Sequence, residues 1–205
     1  MQKSLIPPLE GVIQTEKKLN IGYALTGSFC TLEQSLKQIE KLIKIGHNVL
    51  PIMSYNCASI STRFGRAEDF IERIEKMTGN HVIRTITDAE PIGPKNMTDI
   101  MVILPCTGTT LSKLKNGIYD TPVTLAAKSH LRNRKPLIIG VSTNDALSVT
   151  AKNIGELMNY KHHYFIPLKQ DNPHSKPSSI VCDFDRLSDT IEAALKGEQY
   201  QPILS

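Results

Sequence analysis

The stretch IMVIL over residues 100–104 is an unbroken apolar run, closed by Pro105 and followed by Cys106-Thr107-Gly108-Thr109-Thr110. A run with no polar alternation is what a strand buried on both faces requires, and such strands belong to parallel sheets covered by helices. Comparable short runs occupy 21–25, 49–53, 81–86, 137–141 and 163–168. Between them lie amphipathic segments. Leu32, Leu36, Ile39 and Ile43 recur at helical spacing after a Thr31/Gln34 pair with capping-box geometry, and Gly46 is a natural stop. Phe70, Ile71, Ile74 and Met77 mark a helix over 66–78, ended by Gly79. Further helices are expected over 109–118, from the Thr121-Pro122 cap, over 146–159 and over 186–196, and the Pro/Ser-rich segment 171–179 reads as a loop. Strand-helix alternation at this spacing predicts an α/β fold, a doubly wound parallel sheet with helices on both faces.

Residues 1–18 carry Pro7, Pro8 and Gly11 without a clear period and read as an N-terminal arm. Residues 19–205 read as one domain, a length that buries a core without disulfides or metals. Net charge is only +4, Trp is absent, and the one tight basic cluster is Arg132, Arg134 and Lys135. That composition argues against a nucleic-acid module. No apolar run is long enough for a signal peptide or a membrane span, so a cytoplasmic location is expected. Cys30, Cys57, Cys106 and Cys182 form no C-x-x-C pair, and His162, His163 and His174 show no ligand spacing, so no metal site is expected.

Right-handed crossovers put all strand C-termini of such a sheet on one edge, where ligands bind. The chemistry should therefore follow the strands. After residue 25 come Gly27, Ser28 and Phe29, a turn and hydroxyl suited to an anion at a helix start. After residue 53 come Ser54 and Asn56, groups able to bond phosphate or polyol oxygens. After residue 104 come Pro105, Thr107, Gly108, Thr109 and Thr110, where a plain cap would need only one hydroxyl. After residue 141 come Ser142, Thr143 and Asn144. For each loop the alternative is an ordinary turn with a cap; Asp145 reads as a helix cap and Cys106 as a buried structural thiol. G-x-G-x-x-G, G-x-x-x-x-G-K-[ST] and G-x-S-x-G are all absent, which counts against a dinucleotide fingerprint, a P-loop and a serine hydrolase.

Taken together, TGSFCT, STRFG, AEPIGPKNMTDIMVILPCTGTTLSKL, TPVTLAAKSHLRNRKPLIIGVSTNDAL and YFIPLKQDNPHSKPSS resemble the flavoprotein superfamily of homo-oligomeric FMN-binding cysteine decarboxylases and their prenyl-flavin-synthase relatives. The resemblance spans nearly everything from Asn20 to Ser179. It implies a flavodoxin-like fold, bound FMN and a homo-oligomer, a trimer or a multiple of trimers. Within the superfamily the segments resemble a branch that acts as one of two subunits of a dehydrogenase in sporulating bacteria. In that branch the other chain, the A subunit, carries NADP or NAD. The substrate is the cyclic dicarboxylate made from pyruvate and aspartate semialdehyde, and the product is dipicolinate. The resemblance assigns Ser28, Ser54 and Thr107–Thr110 to phosphate and ribityl, and Asn144 to the ring or substrate. Arg63, Arg66 or Arg132 could clamp a substrate carboxylate. The superfamily's decarboxylases carry a His before the buried strand, and here Asp88–Pro94 has none. That disfavours a stand-alone decarboxylase or prenyltransferase and leaves, as the other alternative, a non-redox partner subunit.

Overall fold

The computed structural model describes residues 18–205. The arm expected over residues 1–18 lies, apart from Lys18, outside them. In chain order the elements are β1 (Asn20–Leu25), α1 (Leu32–Lys44), β2 (Asn48–Met53), α2 (Tyr55–Ser59), α3 (Ala67–Thr78), α4 (Ile86–Ala89), β3 (Ile100–Cys106), α5 (Gly108–Lys115), α6 (Pro122–Leu131), β4 (Leu137–Thr143), α7 (Ala151–Leu157), β5 (His163–Phe165), β6 (Gln170–Asn172), β7 (Lys176–Val181) and α8 (Leu187–Leu195).

Five strands pair in parallel in the order β2-β1-β3-β4-β5. This is the flavodoxin-like order, and its direction reverses between β1 and β3. All seven residues of β3 are buried, as its unbroken apolar run requires. The alternating faces of the sheet feed two cores. Ile21, Tyr23, Leu25, Val102 and Leu104 pack with Leu36 and Ile39 of α1, Ile74 of α3 and Ile191 of α8. Ala24, Met101, Ile103, Ile139 and Val141 pack with Leu111 of α5, Ala126 of α6 and Leu157 of α7. At 25 cal/mol per Å² of apolar area, each large buried side chain contributes roughly 1.5–3 kcal/mol.

Four local expectations are corrected. Thr31 caps nothing with its side chain; its hydroxyl donates instead to the Ser28 carbonyl at 2.9 Å. The strand expected over 81–86 is reduced to one bridge, Ile52 to Ile83, because the Val82 N–H is taken by the Glu75 carboxylate at 2.9 Å and a helical turn starts at Ile86. The expected loop 171–179 is instead an antiparallel hairpin, β6–β7, whose second strand pairs antiparallel with the end of β4 through Ser142–Val181 and Thr143–Ile180. The helix expected over 146–159 shortens to α7, with turns occupying the residues before it.

Candidate functional site

The switch between β1 and β3 is tied by one threonine. Thr26, 1% exposed, donates its hydroxyl to the Pro105 carbonyl at 2.8 Å and accepts from the Thr107 N–H at 3.0 Å. This fixes the two strand-end loops against each other. The sequence does not single out Thr26, because a Thr beside a Gly-Ser turn gives no sign of a partner 79 residues away.

Above this tie lies a cleft of about 580 Å³. Gly27, Ser28 and Phe29 line it from the β1 end, Thr107 from the β3 end, and Ser142, Thr143 and Asn144 from the β4 end. Arg63 and Phe64 close one side, with the Arg63 guanidinium 4.9 Å from the Phe64 ring centre. The hairpin supplies Asp171, Lys176, Ser179 and Val181. Their part is illegible in a Pro/Ser-rich stretch that comes to the site only by folding back on β4. A side chain at Gly27 would make only ordinary contacts, at 3.6 Å to the Phe29 ring and 3.7 Å to Asn56 Cβ. Packing therefore does not demand glycine there, and its effect is to leave the backbone open to the cleft.

The hydroxyls are grouped. Ser28 and Ser142 Oγ atoms lie 2.8 Å apart, and Thr31 Oγ1 is 3.2 Å from the first and 3.3 Å from the second. With the Thr31 proton given to the Ser28 carbonyl, the serine pair shares one hydrogen bond, and its second proton goes either to Thr31 Oγ1 or to the cleft. Thr107 is the N-cap of α5: its Oγ1 accepts from the Thr110 N–H at 3.4 Å and lies 3.1 Å from the Thr110 hydroxyl. So of the three threonines in that loop only Thr107 lines the cleft; Thr110 is buried behind it and Thr109 is exposed outside it. Gly108 has a packing reason, since a Cβ there would stand 2.8 Å from both Asp145 Oδ1 and Thr150 Oγ1.

Asp145 does not cap α7 at its start. Its carboxylate accepts from Thr143 at 2.6 Å and from Thr150 at 2.8 Å. Desolvation pushes its pKa up, but the two hydroxyls and its own backbone N–H outweigh that and hold it below the ordinary carboxylate range. Lys176 pairs with Asp171 at 2.7 Å, and that bond raises its pKa.

Other expected residues sit elsewhere. Ser54 caps α2 through the Cys57 N–H at 3.3 Å, and Asn56 stands beside Gly27 without lining the cleft. Arg66 precedes α3 and lies 4.0 Å from Glu68. Arg132 follows α6, against Gly93, at the opposite edge of the sheet from the cleft. Its placement there follows from the crossover, which returns the end of α6 to the start of β4. Cys106 is fully buried, and burial raises its thiol pKa, so it is a packing residue. Among the described residues no three His, Cys, Asp or Glu side chains converge on a metal position. No described helix is long and apolar enough to cross a membrane.

Residues 12–196 match the family model described as Flavoprotein, and the chain belongs to that family. Within it, the chain is a homologue of the B subunit of dipicolinate synthase. It is 47% identical to that protein from Bacillus subtilis (strain 168) over 188 residues, 92% of this chain and 94% of the relative. The crystal structure of the dipicolinate synthase B subunit from Bacillus halodurans C matches with a TM-score of 0.84 at 44% identity, covering 91% of this chain and 96% of that one. The structure of Burkholderia xenovorans DmrB in complex with FMN, described as a cubic protein cage for redox transfer, matches with a TM-score of 0.66 at 17% identity, covering 88% and 97%. At that identity the likeness is one of fold.

Proposed function

We propose that the chain binds FMN in the cleft at the ends of β1, β3 and β4, and that it serves as the B subunit of dipicolinate synthase during sporulation. The observation that carries this reading is the convergence of Ser28, Ser142 and Thr107 beside the open backbone of Gly27 at the β1/β3 switch point. The donor set fits the group. The serine pair and Thr107 suit phosphate and ribityl oxygens, Phe29, Phe64 and Val181 offer apolar surface to a planar ring, and the volume lies within the roughly 300–1,000 Å³ usual for such ligands. Ser54 caps α2, the Pro105 carbonyl accepts from Thr26, Gly108 packs against Asp145 and Thr150, and Thr110 bonds Thr107, so these four hold the loops around the cleft.

When bound, FMN supplies hydride acceptance, and the protein supplies orientation and charge balance. The substrate in this reading is the cyclic dicarboxylate hydroxy-tetrahydrodipicolinate and the product is dipicolinate, so the conversion loses the hydroxyl as one water and gives up two electrons as a hydride with one proton. Arg63 and Lys176 are the cations that face the cleft, and they suit its carboxylates. Asn144, exposed at the end of β4, can orient a ring edge or a carboxylate.

Aromatising the ring also requires a proton acceptor. Among the described residues no histidine lines the cleft; Lys176, in its lining, is held charged by Asp171, and Asp145, outside the lining, is held charged by its hydroxyl partners. Neither shifted group is poised near neutrality for proton transfer. This favours a composite site in which the A subunit, carrying NADP or NAD, supplies the proton acceptor. A homo-oligomer built on trimers and a mother-cell cytoplasmic location complete the reading. The test is reconstitution: purified chain, the A subunit, NADP or NAD and the freshly formed cyclic substrate. Dipicolinate formation that needs both proteins supports the proposal, and full activity of the A subunit without this chain sinks it.

A further inference from the structure

Arg63 and Lys176 are the cations of the cleft lining, and Asp171 is the one carboxylate among the described residues that line it. That carboxylate is spent on one of the two cations. The Arg63 guanidinium lies over the Phe64 ring and has no acid partner among the described residues. Lys176 Nζ donates to Asp171 Oδ2 at 2.7 Å. Asp171 is the fixed member of the pair: it stands on β6, its side chain is 30% exposed, and it accepts a second bond from Ser179 Oγ at 3.5 Å. Lys176 is the movable member, 57% exposed on a flexible four-carbon stem.

The ammonium is open to the cleft. Asp171 takes one of its three N–H groups. Asp171 is the main cause of its raised pKa, and the exposed Cys30 thiol, which lines the cleft from the β1 side, is close enough to add to the rise. A ligand carboxylate reaching this ammonium meets Asp171 already there. Either the ligand displaces Asp171, or the two carboxylates share Nζ and repel each other. Both outcomes weaken the grip. In the reading above, substrate and product carry the same two carboxylates. An uncompeted grip on them would hold the product as firmly as the substrate, and such uniform binding does not speed the chemistry. We infer that Asp171 is an internal competitor for Lys176: its carboxylate occupies the position at the ammonium that a ligand carboxylate takes, and so loosens the hold on the dicarboxylate product. This inference rests on the reading that places the dicarboxylate in this cleft.

The test is isothermal titration of dipicolinate into the FMN-loaded full chain with the A subunit, less the heat of the A subunit alone. Asp171→Asn keeps the side-chain shape and an acceptor for Ser179, and it should lower Kd about threefold to fivefold, the range that an exposed ion pair supplies. Lys176→Met should raise Kd about tenfold, the loss of a charge-assisted hydrogen bond. A pair that merely braced the hairpin would give both variants the same sign, since losing either partner loosens it. Asp171→Ser repeats the measurement without relying on the asparagine variant to fold. Asp171 variants that bind no tighter than wild type overturn the inference and leave the cleft reading intact. A Lys176→Met complex that binds like wild type overturns it as well. A wild-type complex that takes up no dipicolinate overturns the placement of the dicarboxylate itself, and the inference with it.

Discussion

Ser28 and Ser142 are 114 residues apart in the chain, yet their hydroxyl oxygens are 2.8 Å apart in the lining of the cleft. The contact joins the turn after β1 to the end of β4 across the switch point of the sheet. Ser142→Ala removes it while leaving Ser28 bonded to Thr31. A single neutral hydrogen bond contributes about 1 kcal/mol net, so FMN affinity should fall about fivefold. The paired variant Ser28→Ala with Ser142→Ala should cost less than the sum of the two singles, because one bond is shared. Fluorescence titration of FMN into the three variants checks this, and strictly additive losses would mean that the serines act separately.

Gly108→Ala places a methyl group 2.8 Å from Asp145 Oδ1 and Thr150 Oγ1. Overpacking of this kind costs about 1–3 kcal/mol. In a chain of this size that lowers Tm by several degrees. Differential scanning calorimetry reads it directly; an unchanged Tm would show that the β4–α7 turn yields freely.

His130 is buried, with Nδ1 2.8 Å from the Thr98 hydroxyl and Nε2 2.9 Å from the Pro136 carbonyl. Desolvation, helped by Lys135, takes its pKa from 6.5 to about 4, against the opposing pull of Pro136 and Asp99. The folded protein therefore resists protonation that the unfolded chain accepts. Between pH 6.5 and about 4 the unfolded state binds more protons, so this contribution is fully present above pH 6.5 and is lost as pH falls through the window. Urea unfolding at pH 7 and pH 5 should show a drop in stability of order 1 kcal/mol or more from this group. His130→Asn should be less stable at pH 7 and flatter over the window; an equal slope in both proteins would assign the acid sensitivity elsewhere.

Arg63 and Lys176 face the cleft and Arg132 does not. In the reconstituted two-protein reaction, Arg63→Ala and Lys176→Ala should each raise KM for the dicarboxylate about tenfold, the loss of a charge-assisted hydrogen bond of roughly 1.5 kcal/mol. Arg132→Ala, at the other edge of the sheet, should leave KM unchanged. The reverse pattern in steady-state kinetics would move the substrate away from the hairpin.

The fold is legible wherever a strand is buried on both faces. The IMVIL run could only be a central strand, and β1, β2 and β4 carry the same signal. It is illegible where partners come from far along the chain. Residues 81–86 have strand-like letters, but Glu75 takes the Val82 N–H and only Ile83 joins the sheet. The hairpin β6–β7 begins on exposed polar residues without alternation and buries only Ser179 and Ile180 of β7, and it forms because the end of β4 offers it an edge. The cleft divides the same way. Gly27, Ser28, Thr107 and Ser142 follow strands and can be picked out by position. Thr26 acts through a partner 79 residues away, and Asp171 and Lys176 come to the cleft only because β7 folds back on the end of β4. Asp145, expected to cap a helix, instead holds Thr143, because the turn after β4 delays the start of α7 to Ala151.

The most direct test of the account is titration of FMN into the purified chain, followed by the absorbance of the flavin, in wild type, Ser28→Ala/Ser142→Ala and Arg132→Ala. Saturable binding, with the visible flavin bands shifted and affinity lowered about fivefold or more in the serine variant only, is the predicted result. A wild-type chain that leaves the spectrum of added FMN unchanged, or a serine variant that binds as tightly as wild type, would contradict the placement of the flavin in this cleft.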